Sequence, residues 1–200
     1  MKVIGLTGGI GTGKSTVSGY LRKKGIPIID ADQISRQITE KGSDLLNPIR
    51  KLLGDRVFFA DGQMNRQAVA ETIFHDKEKL KKYENLITTE VIRRSLNEIE
   101  RYKRQQSSPL IVYDAPLLFE FGFQCYTDTT WLVVADLEIR IERISKRDKI
   151  SKEEIMDRIH HQMPTGEKEA LADAIIDNSG DLKRLFQQVD LLLERIENEK

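Results

Sequence analysis

A glycine-rich segment near the start of the sequence has the residue types and spacing that suit phosphate binding. Residues 8–15 read GGIGTGKS and match G-x-x-x-x-G-K-[ST] at every fixed position. Glycines let the backbone turn tightly, so that successive N–H groups converge on phosphate oxygens. Lys14 is expected to reach the β- and γ-phosphates of a nucleotide, and Ser15 to offer its hydroxyl to Mg²⁺. The residues expected to bind the nucleotide here are Gly9, Ile10, Gly11, Thr12, Gly13, Lys14, Ser15 and Thr16.

A pair of carboxylates follows the second apolar segment of the chain, residues 26–29. Ligands of open α/β sheets bind at the carboxyl ends of strands, which is where Asp30 and Asp32 would lie. Carboxylates two residues apart point to the same side if the chain stays extended. One of them could orient an attacking hydroxyl and help to hold Mg²⁺ through water. The alternative is that one of the pair caps the next helix, since aspartate favours the N-cap position.

Short apolar segments alternate with helical patterns along the chain, and this alternation predicts an α/β fold with a parallel sheet covered by helices on both faces. The five predicted strands are residues 3–6, 26–29, 110–113, 130–135 and 174–176. Helices are predicted at residues 14–23, 34–39, 45–53, 66–74 and 78–104, between 137 and 163, and at 181–197. The phosphate-binding pattern therefore lies between a strand and a helix, which is the context that this motif requires.

Composition limits the classes of function. The 200 residues suit one domain with insertions, and 32 basic residues balance 32 acidic ones, so no net charge recruits nucleic acid or an anionic membrane. Cys125 is the only cysteine, which excludes an internal disulfide and indicates a reducing compartment. No apolar run approaches the length of a membrane span, and the first residues do not resemble a secretion signal. We therefore expect a cytoplasmic protein.

Seven segments of the chain, taken together, resemble the dephospho-CoA kinase family. They run in order over nearly the whole sequence, so jointly they are far more specific than the glycine-rich loop alone. They are residues 5–16 (GLTGGIGTGKST), 29–32 (IDAD), Asp61-Gly62 with Arg66 and Ile73-Phe74, 116–120 (PLLFE), Arg143 with Arg147-Asp148, Arg158-Ile159 with Gln162, and 172–180 (ADAIIDNSG).

The resemblance implies a P-loop kinase fold with a five-stranded parallel core, a helical acceptor-binding domain and a lid. It implies a single domain with a core at about residues 1–60, 108–138 and 170–200, an acceptor-binding insertion at about 61–107, and a lid at about 139–169. It also implies transfer of the γ-phosphate of ATP, with Mg²⁺, to the ribose 3′-hydroxyl of dephospho-CoA. The implied acceptor-binding residues are Thr7, Asp32, Arg66 and Leu117.

Catalytic roles also follow from the resemblance. Asp32 matches the catalytic carboxylate of the family, with Asp30 as its neighbour, and Lys14 serves catalysis as well as binding. Arg143 and Arg147 match the lid arginines, although a solvated charged helix is the ordinary explanation for such a run. By the same resemblance, Asn178 would lie near the adenine of ATP.

Two alternatives stay open at this point. One is another small-molecule kinase of the same fold, such as a nucleoside monophosphate kinase. The other is a nucleotide-dependent switch that keeps Lys14 and Ser15 but needs no carboxylate at Asp32. The chain also departs from the family at Thr88-Thr89, where His-Pro is usual in the presumed acceptor domain. We expect a monomer or a weak homo-oligomer.

Overall fold

A computed structural model describes residues 1–106 and 108–198 of the chain. Its five strands form one sheet in the order β2-β3-β1-β4-β5, which confirms the predicted five-stranded core. The central strand β1 pairs in parallel with β3 and with β4, and β4 pairs in parallel with the edge strand β5. The strands are β1 (Lys2–Gly8), β2 (Ile28–Asp30), β3 (Leu110–Asp114), β4 (Thr129–Val134) and β5 (Ala174–Asp177).

The described residues contain nine α-helices and two single turns of 3₁₀ helix, at Asp55–Val57 and Phe123–Tyr126. No helix in these parts of the chain is both long and apolar enough to span a membrane. The α-helices are α1 (Lys14–Lys23), α2 (Ala31–Gln37), α3 (Leu46–Leu53), α4 (Arg66–Phe74), α5 (Lys77–Gln105), α6 (Leu137–Asp148), α7 (Lys152–His160), α8 (Thr165–Leu171) and α9 (Leu182–Asn198).

The charged stretch predicted as helical between residues 137 and 163 divides into α6 and α7 for a local reason. Lys149 ends α6 in the left-handed conformation, with φ of 56°. Ser151 then begins α7 with a capping box, in which its side chain accepts from the Glu154 N–H and the Glu154 carboxylate accepts from the Ser151 N–H. Both ends are therefore stabilised by their own hydrogen bonds.

The chain forms two compact units. The first comprises Met1–Ile29 and Tyr102–Lys200 and contains most of the sheet. Its core packs side chains from β1, β3, β4 and β5 against α1 and α9, and Trp131 of β4 lies within it. Gly5 points to the opposite face of β1, where a Cβ would stand only 2.9 Å from Leu118. The main core cluster is Ile4, Leu6, Val17, Leu21, Val112, Trp131, Val133, Ile176, Leu185 and Val189.

The second unit comprises Asp30–Arg101, so the boundary predicted at about residue 61 falls inside it. Residues before and after this boundary pack together. Phe58 and Met64 form an isolated antiparallel bridge, and Arg66 donates a hydrogen bond to the Thr39 hydroxyl at 3.1 Å. The predicted domain bounds, acceptor binding by residues 61–107 and a lid function for residues 139–169 stay predictions.

Glu90 on α5 should make the stability of the protein depend on pH. Its carboxylate accepts from Arg93 at 2.7 and 2.8 Å and from Arg94 at 2.7 Å, and its side chain is only 16% exposed. Hydrogen bonds from these arginines, Arg93 first, lower the pKa of Glu90 to about 2. Since the folded-state pKa is depressed, the stabilisation is present above the ordinary value of 4.5 and is lost as pH falls toward about 2.

We expect Glu90→Gln to reduce the free energy of unfolding by about 1–3 kcal/mol at pH 7, and by less than half as much at pH 3. Urea denaturation at the two pH values measures this difference. Glu78→Gln on the same helix is the control, because Glu78 forms an exposed pair with Lys82, and such pairs contribute little. A loss that is equal at pH 7 and pH 3 would contradict the prediction.

Candidate active site

The glycine-rich loop connects β1 to α1 and has the backbone geometry of a phosphate cradle. Gly13 is the N-cap of α1 with φ of 86° and ψ of 24°, and Gly11 also has a positive φ of 80°. The Thr12 N–H donates to the Gly9 carbonyl at 3.2 Å, which closes a tight turn. The Thr12 hydroxyl donates to the same carbonyl at 2.9 Å. The N-terminus of α1 thus adds its partial positive charge to the loop.

Glycine is required at position 13 by space as well as by backbone conformation. A Cβ there would stand 2.0 Å from Nδ2 of Asn178, whose amide donates to the Thr12 carbonyl at 2.7 Å. An added methyl group would therefore push Asn178 away from the loop, and a positive φ disfavours any residue with a Cβ.

Gly13→Ala is accordingly expected to lower both the affinity for ATP and the melting temperature. Isothermal titration calorimetry and thermal unfolding measure the two effects. The matched control is Gly19→Ala in the interior of α1, where an added Cβ meets nothing within 4 Å. Alanine favours helix there, so the control should keep its ATP affinity and gain up to about 1 kcal/mol of stability. A Gly13→Ala protein that binds ATP normally would contradict the tight contact.

Lys14 is held by a carboxylate that the sequence analysis did not select. Its ammonium group contacts Oδ1 of Asp114, and the two side chains are 17% and 6% exposed. Asp114 is the last residue of β3 and pairs with Leu6 of β1, so it lies beside the strand that leads into the loop. The detectable signal was the sequence LIVYD, an apolar strand that ends in aspartate. In P-loop enzymes an aspartate at such a position helps to hold Mg²⁺.

Arg143 and Asn178 meet at the carbonyl of Thr12. Arg143 donates to the Asn178 carbonyl at 3.0 Å and approaches the Thr12 carbonyl at 3.5 Å. Asn178 is buried and its side-chain amide faces the same loop carbonyl. The structure therefore brings these two predicted residues to the phosphate loop. Adenine binding by Asn178 stays a prediction.

Arg147, the other predicted lid arginine, makes different contacts. It lies in the last turn of α6 and donates to both carboxylate oxygens of Asp148, at 2.7 and 2.9 Å. Arg158 of α7 donates to the same carboxylate at 3.2 Å. The Arg147 side chain is 61% exposed, and the hydrogen bonds described for it go to Asp148 alone. Its catalytic role stays a prediction.

Both polar groups of Ile10 are bonded to side chains from distant parts of the chain. Its N–H donates to Oε1 of Gln162 at 2.9 Å, and its carbonyl accepts from Nε of Arg140 at 2.9 Å. The sequence analysis quoted Gln162 only as part of a motif and gave Arg140 no role. Arg140 lies one helical turn before Arg143, so its position on α6 was a usable signal.

The segment after β3 is anchored by buried polar groups. Thr7 is fully buried and its hydroxyl donates to the Pro116 carbonyl at 3.3 Å. Lys168 donates to the same carbonyl at 3.2 Å and pairs with Glu120 at 2.7 Å. Thr7 thus supports this segment, rather than offering an open surface. Contact of Thr7 and Leu117 with an acceptor stays a prediction.

In the second unit, Asp30 and Asp32 have different positions. Asp30 is the N-cap of α2 and accepts from the Gln33 N–H at 3.0 Å, which confirms the capping alternative for one of the pair. The helix begins at Ala31, so the chain does not stay extended, and the condition under which the two carboxylates would point to the same side is not met. Asp32 is exposed in the first turn of α2. Arg66 is exposed at the start of α4.

Among the described residues, no group of three or more histidine, cysteine, aspartate or glutamate side chains is arranged to hold a metal ion. Mg²⁺ does not need such a cage, because it usually binds one or two protein ligands together with water and substrate phosphates. Ser15 at the start of α1 and Asp114 at the end of β3 provide a hydroxyl and a carboxylate of the kinds that it binds.

The parallel sheet and the loop between β1 and α1 together define a P-loop kinase fold. Solved structures share this fold. A Thermus thermophilus protein superposes with a TM-score of 0.83 at 34% identity over 97% of both chains. Dephospho-CoA kinase from Campylobacter jejuni gives 0.74 at 24% identity over 98% of both chains. Shikimate kinase from Bacteroides thetaiotaomicron gives 0.52 at 18% identity over 98% of both, which is a likeness of fold alone.

Sequence comparison gives the family. The dephospho-CoA kinase family profile matches residues 2–184. Dephospho-CoA kinase from Listeria innocua is 39% identical over 199 residues, covering 100% of this chain and 99% of the relative. The enzyme of that name from Streptococcus pneumoniae is 37% identical over 193 residues, covering 96% and 95%. The chain belongs to the dephospho-CoA kinase family.

Proposed function

We propose that this chain transfers the γ-phosphoryl group of ATP to the ribose 3′-hydroxyl of dephospho-CoA, giving coenzyme A and ADP. The observation that carries the proposal is the family match over residues 2–184, which includes an intact phosphate loop. Phosphoryl transfer depends mainly on positioning and on electrostatic stabilisation of the moving group, so each part of the site can be assigned such a task.

On the nucleotide side, the loop amides and Lys14 bind the phosphates. Lys14 contacts Asp114 in the structure, so the incoming phosphates compete with this carboxylate for the ammonium group. Once Lys14 turns to the phosphates, Asp114 is a buried carboxylate that needs another cation. Mg²⁺ fits this need, held by Asp114 and the Ser15 hydroxyl, and when bound it supplies positive charge to the phosphate oxygens.

On the acceptor side, Asp32 receives the proton of the ribose 3′-hydroxyl, or orients that hydroxyl toward the γ-phosphorus. Asp32 is exposed in the first turn of α2, which leaves its carboxylate accessible to a substrate. It also helps to hold Mg²⁺ through water. Arg66 and Leu117 contact the acceptor, with the Arg66 guanidinium suited to a phosphate group.

The arginines of α6 neutralise charge on the transferred phosphoryl group. Arg143 already lies against the loop through the carbonyls of Thr12 and Asn178. Arg147 is bonded to Asp148 and would have to leave it to reach the nucleotide. We therefore assign the larger part of this role to Arg143. Cytoplasmic location and a monomeric or weakly associated state stay predictions.

A panel of acceptors tests the proposal. The purified protein is given ATP and Mg²⁺ with dephospho-CoA, AMP, UMP or GMP in separate reactions, and ADP release is followed. We expect turnover with dephospho-CoA alone. Turnover of a nucleoside monophosphate, with dephospho-CoA ignored, would favour a nucleoside monophosphate kinase. ATP binding without transfer to any acceptor would favour a nucleotide-dependent switch.

A further inference from the structure

Arg140 is a buried cation that forms no ion pair with a carboxylate among the described residues. The residue is 6% exposed, and the hydrogen bond described for it runs from Nε to the Ile10 carbonyl. None of the ion pairs found within residues 1–106 and 108–198 includes it. Lys168 is buried to a similar degree, but it is paired with Glu120 at 2.7 Å. Burying an unpaired charge is costly, so Arg140 requires a functional explanation.

The Arg140 guanidinium lies beside the phosphate loop and lines a cavity of about 160 Å³. Its Nη2 is 2.9 Å from the point where a Cβ on Gly9 would stand, so glycine at this position allows the close approach. The residues that line the cavity include Gly9, Thr12, Gln162 and Lys168, and no aspartate or glutamate. Seven of the fourteen lining residues are apolar, so the Arg140 guanidinium, and not the cavity as a whole, favours an anion here.

The side-chain oxygen of Gln162 accepts a hydrogen bond from an N–H group of the phosphate loop. The Ile10 N–H points to Oε1 of Gln162 at 2.9 Å, while the Ile10 carbonyl accepts from Arg140. A neutral amide oxygen therefore takes the place that a phosphate oxygen would take on a loop N–H. The Arg140 guanidinium is bonded to the carbonyl of the same residue at 2.9 Å.

We propose that Arg140 binds the terminal phosphate of ATP. Its Nε holds the Ile10 peptide in position, and its Nη groups contact oxygens of the γ-phosphate next to Gly9. Arg143 makes a different contact with the loop, at the Thr12 carbonyl. The inference deepens the proposed function and rests on it for the identity of the nucleotide.

The test compares two nucleotides that differ by one phosphate. The dissociation constants of Mg-ADP and of the Mg complex of β,γ-methylene-ATP are measured for the wild type and for Arg140→Met. Because a hydrogen bond to a charged group is lost, the variant should bind the ATP analogue about 10–100-fold more weakly. Its affinity for ADP should change by less than about threefold. Lys146→Met is the matched control, since Lys146 is exposed on the same helix and pairs with Glu142.

Equal losses for ADP and the ATP analogue would overturn the proposal, because Arg140 would then only brace the loop. Unchanged affinities would overturn it as well. Arg140→Lys keeps the charge but lacks the fork of donors, so it should shift the ratio of the two affinities in the same direction but less. If Arg140→Met fails to fold, Arg140→Lys is used instead, and the ratio of its affinities for the ATP analogue and for ADP decides the question. The titrations with ADP and with the ATP analogue contain no acceptor. If the wild type failed to phosphorylate dephospho-CoA, the proposed function would be refuted, but the proposal for Arg140 would not.

Discussion

Asp32→Asn is expected to reduce kcat with dephospho-CoA by about 10²–10⁴-fold, which is the usual contribution of a positioned general base. Asparagine has nearly the same shape as aspartate, but it cannot take a proton from the ribose hydroxyl. The dissociation constant of Mg-ATP should stay within about threefold of the wild type, because the role lies in the chemical step. Single-turnover kinetics and nucleotide titration measure the two quantities separately.

The control for Asp32 is Glu40→Gln, which removes another exposed carboxylate of the same unit. It should leave both kcat and ATP affinity unchanged, since Glu40 has no assigned role. An equal loss of turnover and of ATP binding in Asp32→Asn would show that Asp32 acts outside the chemical step. Normal turnover in that variant would favour a different base.

Lys14→Ala is expected to lower kcat/KM for ATP by at least about 10²–10³-fold. This is the loss that follows when an enzyme loses one hydrogen-bond donor that stabilises negative charge in the transition state. The substitution removes the ammonium group that meets the β- and γ-phosphates. It also leaves the Asp114 carboxylate, which is 6% exposed, without its partner. Removal of one member of a buried pair is strongly destabilising, so the melting temperature should fall too.

The double variant Lys14→Ala/Asp114→Asn separates the two consequences of losing Lys14. Neutralising position 114 removes the uncompensated charge, so we expect the double variant to recover much of the lost stability. Its kcat/KM should stay low, because neither the lysine nor the carboxylate is restored. Unchanged kcat/KM in Lys14→Ala would refute the phosphate-cradle assignment. Full recovery of kcat/KM in the double variant would refute a direct role of Lys14.

Features with local causes could be predicted from the sequence. The bounds of α4 agree with the prediction of residues 66–74, because Asn65 caps the helix through the N–H groups of Gln67 and Ala68. The loop at residues 8–15 was recognisable because its glycines and Lys14 occupy fixed positions in one continuous segment. More than one helix was predicted between residues 137 and 163, but the boundary between α6 and α7 was not placed, although the Ser151 and Glu154 capping box that fixes it is visible in the sequence.

Features with non-local causes were not accessible from the sequence in the same way. Asp114 contacts Lys14 across 100 positions of the chain, and only the parallel pairing of β1 with β3 brings them together. Arg140 contacts Ile10 across 130 positions, so the sequence could not show that it is buried rather than exposed like an ordinary charged residue of a helix. The sequence left two placements open for Asp30 and Asp32, an extended pair or a helix cap, and the Asp30 cap at the start of α2 decides between them.

A crystal structure with a non-hydrolysable ATP analogue and Mg²⁺ tests the central claim most directly, because it shows where Lys14 points when a triphosphate is bound. The account predicts β- and γ-phosphate oxygens within about 2.7–3.2 Å of the loop N–H groups and of Lys14 Nζ, with Lys14 no longer bonded to Asp114. An intact contact between Lys14 and Asp114, with the triphosphate bound elsewhere, would contradict it.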